Sequence, residues 1–163
     1  MKRPGYRIVC FFLCLLAGFP AQAVELGALP AYSRVYDVNR NPSADGRAAL
    51  KLARETNRRV LIEVGGDWCS WCHVLDRFIN DNPVLRSRFH ETFVLLKVNV
   101  SDENDNAEFM ASLPPNLGYP HMYVTDANGK VLHSQDTALL RENGKYSRQR
   151  FLAFLDRWQV RHE

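Results

Sequence analysis

The chain has 163 residues, 46% of them hydrophobic and 24% charged, with a formal charge of +3. Those proportions exclude collagen-like, coiled-coil and disordered classes, and the length suits one compact domain able to fold without disulfide or metal staples. Lys2, Arg3 and Arg7 account for the whole excess of 21 basic over 18 acidic residues, so no basic patch argues for nucleic acid.

Those three basic residues precede an apolar run from Ile8 to Phe19, which Pro20 and Ala21-Gln22-Ala23 follow. A basic start, an apolar centre and a small-residue cut site make the layout of a secretory signal peptide. The run falls short of the roughly 20 residues that span a bilayer as a helix. The sequence therefore predicts a leader over 1–23, cleaved near Ala23, and a soluble periplasmic or otherwise exported product with no stable membrane insertion. An uncleaved anchor is the alternative. Cys10 and Cys14 leave with the leader, and Cys69 and Cys72 remain.

Residues 24–44 read as an irregular lead-in, from which Tyr32, Val35 and Tyr36 can pack back, and 45–163 as the domain. Asp45 is a candidate cap for a first helix with Ala49, Leu52 and Ala53 on one face. Arg59 to Gly66 reads as a strand whose nearly continuous apolar centre, Val60-Leu61-Ile62-Glu63-Val64, fits burial on both faces. A second helix begins near Cys69, with Trp71, Val74, Leu75 and Phe78 as its stripe.

Asn82-Pro83 breaks the pattern before a short helix over 84–89, and 93–100 (FVLLKVNV) is a second buried strand. An acidic loop at 101–106 and a helical turn within 107–113 follow. Strands at 122–125 and 131–134 flank Asp126-Ala127-Asn128-Gly129, a hairpin signal. Ser147 caps a last helix with Phe151, Phe154, Leu155 and Trp158 on its core face. The order specifies an α/β layer fold without repeats.

The informative segment is Gly65-Gly66-Asp67-Trp68-Cys69-Ser70-Trp71-Cys72-His73. Two cysteines three apart at a strand-to-helix junction put the first at a helix N-terminus, where unpaired N–H groups and the dipole favour a thiolate. Moving a thiol from about 8.5 to about 6.5 raises its thiolate fraction at pH 7 from roughly 3% to roughly 75%. It also makes the sulfur a better leaving group, which suits exchange.

Other readings stay open at this level. A structural disulfide is natural in an exported protein, although so short a loop contributes only about 2 kcal/mol in the chain-entropy model. A zinc site lacks the second C-x-x-C and the usual ligand spacing. C-S-W-C-H also satisfies the attachment signature of c-type haem, with His73 as one axial ligand and Met110 or Met122 opposite. A thiol-inactive binding module is a further alternative.

W-C-x-x-C after an apolar strand, with Gly118-Tyr119-Pro120 leading into a hairpin and a closing helix, resembles the thioredoxin superfamily over roughly residues 45 to 160. Within it the chain is similar to exported thioredoxin-like domains. These include the periplasmic C-terminal domain of the transmembrane thiol electron transporter and small endoplasmic-reticulum thioredoxin-like proteins. The resemblance implies a thioredoxin-like fold, a central mixed β-sheet flanked by helices. It makes Cys69 the exposed attacking cysteine, Cys72 the buried resolving cysteine, and the two a redox disulfide. Trp68 matches the shielding aromatic, and Glu63 the buried strand carboxylate that exchanges the resolving thiol's proton. Burial of a carboxyl on such a strand should raise its pKa.

Asp76, one turn beyond Cys72, matches an acidic position that tunes the resolving thiol; a solvated surface carboxylate is the plain alternative. His73, when protonated, favours the Cys69 thiolate. Pro120 matches the cis-proline facing the cysteines, which leaves the preceding backbone free for an extended substrate. Tyr119 is bulkier than the residue usual there, and Ser70-Trp71 replaces thioredoxin's Gly-Pro. The implied activity is thiol–disulfide exchange with protein substrates, reductase-like and recharged by a membrane electron donor, with no metal or organic cofactor.

Overall fold

The computed structural model describes residues 29–160, and the expected leader lies outside them. Four strands form a mixed sheet in the order β2-β1-β3-β4. They are β1 (Arg59–Gly65), β2 (Phe93–Asn99), β3 (His121–Thr125) and β4 (Val131–Asp136). β1 and β2 run parallel, and β3 pairs antiparallel with both β1 and β4. This is the α/β layer fold that the element order predicts, with the central mixed sheet that the resemblance implies.

Because strand side chains alternate between faces, β1 and β2 feed two separate cores. Val60, Ile62, Val64, Val94, Leu96 and Val98 pack with Ala49 and Ala53 of α1 (Pro42–Glu55). On the opposite face Leu61, Leu95, Met122 and Val124 meet α2 (Ser70–Asn80), α3 (Pro83–Thr92) and α5 (Arg148–Trp158). Glu63 and Lys97 lie in register on that second face.

Several local expectations shift. α1 starts three residues before Asp45, because Asn41 caps it by accepting the Ala44 amide at 2.9 Å and Pro42 supplies a helix-ready first position. Asp45 instead pairs with Arg40 at 2.5 Å. In the lead-in, a 3-10 turn at Ala31–Ser33 precedes the helix, and Tyr32 and Tyr36 are buried while Val35 is exposed. A short helix, α4 (Ala107–Ala111), follows the acidic loop.

The sequence reading also misses a small hairpin, β5 (Arg141–Glu142) and β6 (Lys145–Tyr146). Its Asn143-Gly144 turn has φ of 50° and 76°, the left-handed pair that a type I′ turn demands. Trp71 is half-exposed rather than a core residue. It packs against this hairpin, edge to face with Tyr146 at 6.0 Å and under the Arg141 guanidinium at 4.2 Å.

Candidate active site

Cys69 is the N-cap of α2, and its Sγ accepts the Cys72 amide at 3.2 Å. The helix therefore offers the sulfur an N–H donor and the positive end of its dipole. Cys69 and Cys72 are joined as a disulfide. The Tyr119–Pro120 peptide bond is cis, and Tyr119 packs against the cysteines.

One expectation about the pair changes. Cys69 is only 4% exposed rather than open to attack, because Tyr119 packs over the cysteines. Tyr119 meets the Trp68 ring edge to face at 5.4 Å, and Trp68, itself 58% exposed, anchors its indole N–H on the Val100 carbonyl at 2.8 Å. Trp68 also borders a groove of about 1070 Å³ whose lining includes Val35, Tyr36, Asp67, Asp102 and Glu103.

Behind the disulfide lies a buried polar group. Glu63 is fully buried, and the Tyr36 hydroxyl donates to its Oε1. Lys97 Nζ stands 4.0 Å from the same oxygen and donates to both carboxylate oxygens of Asp76, at 2.6 and 2.5 Å. Asp76 is thus neither a solvated surface group nor a lone tuning charge; it holds the cation that faces Glu63. Among the described residues, Glu63 Oε2 has no hydrogen-bond partner.

Burial raises the Glu63 carboxyl above its ordinary value, and the Asp76 charge adds to the rise. Lys97 and the Tyr36 hydrogen bond oppose it. Tyr36 is itself driven well above the ordinary phenol value by burial and by the neighbouring Glu63. A small cavity of about 50 Å³ borders Glu63, Asp76 and Lys97, with Ser33, Arg34 and His90 also in its wall.

Gly65 permits this packing. A Cβ there would stand 2.5 Å from Cys72 Sγ and 3.1 Å from the Tyr36 hydroxyl oxygen, so only glycine lets sulfur and hydroxyl approach the strand.

His73 is set apart from the buried group, half-exposed with Nε2 2.8 Å from the Asp67 carbonyl oxygen. The residues of the haem reading are not brought together. Met122 is fully buried in the α2–α3–α5 core, whereas Met110 packs into the core on the α1 face. Among the described residues, no three His, Cys, Asp or Glu side chains gather as a metal site.

A family model described as Thioredoxin-like matches residues 41–127, more than half the chain. The chain belongs to the thioredoxin-like family. The matched span holds the cysteine pair, Glu63, Asp76, Lys97 and Pro120 of this thioredoxin-like protein, but not Tyr36 or α5. A disulphide isomerase from Xylella fastidiosa Temecula1 superposes with a TM-score of 0.65 at 23% identity, covering 75% of this chain and 94% of that one. The oxidised DsbD C-terminal domain of Neisseria meningitidis gives 0.57 at 13% identity, over 76% of this chain and 100% of that domain. Both likenesses establish the fold. An uncharacterized protein of Caenorhabditis elegans is 28% identical over 60 residues, which are 37% of this chain and only 8% of that protein.

Tyr36 and Lys97 are the site residues that sequence reasoning does not single out. Lys97 has a visible signal, a lone cation inside the apolar run FVLLKVNV. Tyr36 has none beyond being aromatic.

Proposed function

We propose that this protein is an exported thiol–disulfide oxidoreductase that acts as a reductase on protein substrates. The observation that carries the reading is the Cys69–Cys72 pair, with Cys69 Sγ on an α2 amide and a buried carboxyl behind. In the reduced protein the Cys69 thiolate attacks a client disulfide, forming a mixed disulfide and releasing one client thiolate. Cys72 then gives its proton to Glu63 and attacks Cys69 Sγ, so the second client thiolate leaves and the Cys69–Cys72 bond forms. Two electrons pass to the client. A membrane dithiol donor returns them, and no metal or organic cofactor enters the cycle.

Supporting residues have separate parts. Pro120 leaves the preceding backbone open to an extended client strand, and Trp68 and Tyr119 shield the sulfurs between encounters. Protonated His73 favours the Cys69 thiolate from the next turn of α2, and Asp76 acts through Lys97. Ser70-Trp71 places no histidine between the cysteines to stabilise the thiolate as in strong oxidants, which favours reduction. The apolar run before Ala23 supports export, and among the described residues no helix is long and apolar enough to cross a membrane.

Cys72→Ser in the native cell should accumulate Cys69-linked mixed disulfides, whose partners identify the clients and the direction of flow. Purified Cys69→Ser should lose activity on a model disulfide; activity equal to the parent's overturns the reading. Export predicts a secreted form beginning at Val24, read by the mass of the intact protein.

A further inference from the structure

Tyr36 touches both the buried carboxyl and the cysteine pair. Its hydroxyl donates to Glu63 Oε1, and its ring packs with Cys69 and Cys72 in one buried cluster. The Tyr36 oxygen and Cys72 Sγ converge on the same spot beside Gly65, at 3.1 and 2.5 Å from where a Cβ would stand. Glu63 and Gly65 are two apart on β1 and therefore share a face, with the hydroxyl bonded to one and closing on the other. A hydroxyl has one proton to give and lone pairs to receive another, so it can pass a proton without changing its own state.

We propose that the Tyr36 hydroxyl carries the proton between Cys72 and Glu63, a step that rests on the exchange reading and on Glu63 as its base. As Cys72 Sγ attacks Cys69 Sγ in the mixed disulfide, its proton passes to the Tyr36 oxygen while the Tyr36 proton passes to Glu63 Oε1. The Cys69–Cys72 bond forms, and the electron pair of the broken mixed disulfide leaves on the departing thiolate. Cys72 has lost one proton and Glu63 has gained one. Reduction of the disulfide runs the relay backwards.

The groups facing this path are Lys97 from β2, Asp76 and Cys72 from α2, and Tyr146 from β6. Arg34 of the lead-in and His90 of α3 line the cavity beside Glu63. Of these, only the Tyr36 hydroxyl both bonds Glu63 and approaches Cys72 from the same side of Gly65.

The test uses the reduced full-length protein mixed rapidly with excess dithio-bis-nitrobenzoate. Cys69 attack gives a bimolecular phase, and Cys72 closure releases a second coloured thiolate in a first-order phase. Tyr36→Phe should leave the first phase unchanged and slow the second roughly tenfold at neutral pH. It should also move the acid limb of the second phase to higher pH, because Glu63 loses a hydrogen bond that favours its charged form. Replacing Tyr36 by 3-fluorotyrosine, a stronger donor of the same shape, should move that limb to lower pH. Glu63→Gln should slow the second phase too, and adding Tyr36→Phe to it should slow it no further.

A Tyr36→Phe second phase matching the parent in rate and limb, with Glu63→Gln slow, overturns the relay alone. Parent-like behaviour of both overturns Glu63 as the base as well. Should Tyr36→Phe fold poorly, an unmoved limb in the fluorotyrosine protein overturns the relay by itself.

Discussion

The two faces of β1 and β2 are built from the same run of strand residues and both pack apolar cores, yet only one of them also takes in charge. Toward α1, Val60, Ile62, Val64, Val94, Leu96 and Val98 form an unbroken apolar layer. Toward α2, Glu63 and Lys97 interrupt the layer directly beneath the cysteines, with Asp76 and Tyr36 as partners. Burying ions stabilises a fold poorly, because desolvation offsets their attraction. Both faces stabilise the fold by apolar burial, and the α2 face also bears the cost of a buried carboxylate and its partners.

The sharpest contrast should come from the charge beneath α2. Lys97→Met leaves Glu63 without its facing cation and Asp76 without its partner, and should destabilise the protein by about 4 kcal/mol at mildly alkaline pH in denaturant unfolding. Lys97 lowers the Glu63 pKa, so its loss raises that value further, and the deficit should shrink in acid where Glu63 is neutral. A deficit independent of pH would show that packing, not charge, is lost.

Leu96→Ala on the opposite face should cost about 3 kcal/mol at every pH by leaving a cavity. Its exchange rate, measured well below the unfolding transition, should equal the parent's. A slowed exchange would mean that the two layers are coupled.

Glu63→Gln should slow closure of the Cys69–Cys72 bond roughly a hundredfold, about 2.7 kcal/mol in barrier. Its stability should move the other way. The folded Glu63 pKa lies above 4.5, so the stability its protonated form contributes is complete below that value and lost as pH rises through the raised one. The variant cannot ionise there, so its melting temperature should gain on the parent's as pH rises. Convergence of the two curves at high pH contradicts this.

The smallest effect should come from the half-buried cover of the cysteines. Tyr119→Ala opens the cover over Cys69 and removes a ring contact worth about 1 kcal/mol. Reduction by a small dithiol should become a few-fold faster, with stability lowered by about that 1 kcal/mol. An unaltered rate would mean that Tyr119 does not limit access.

Much of this layout was legible because it is periodic. Two apolar runs gave the central strands, and a cap beside an aromatic stripe gave α5. Read from sequence the first helix starts late, because Asn41 and Asp45 are both competent caps; Pro42 at the first helical position and the local pairing of Asp45 with Arg40 decide for Asn41. The second hairpin carried the same Asn-Gly signal as the first, but strands of two residues show no alternation to support it.

At the site, C-x-x-C and Glu63 could be picked out as a motif and a lone carboxylate. The Glu63–Lys97 pairing could not, since it depends on a parallel register set by a crossover through α2 and α3. The low exposure of Cys69 was hidden too, because its cover comes from Tyr119, fifty residues away in the chain.

Tyr36 precedes the span shared with the family, which starts at residue 41. Anyone trimming the chain to that shared unit, for a fusion or a domain graft, would retain both sulfurs, the carboxylate and the proline. The same cut would strip the carboxylate of its phenol and open the wall behind Cys72. The packed surroundings of the cysteine pair therefore reach further toward the front than the pattern by which the protein's kind is recognised.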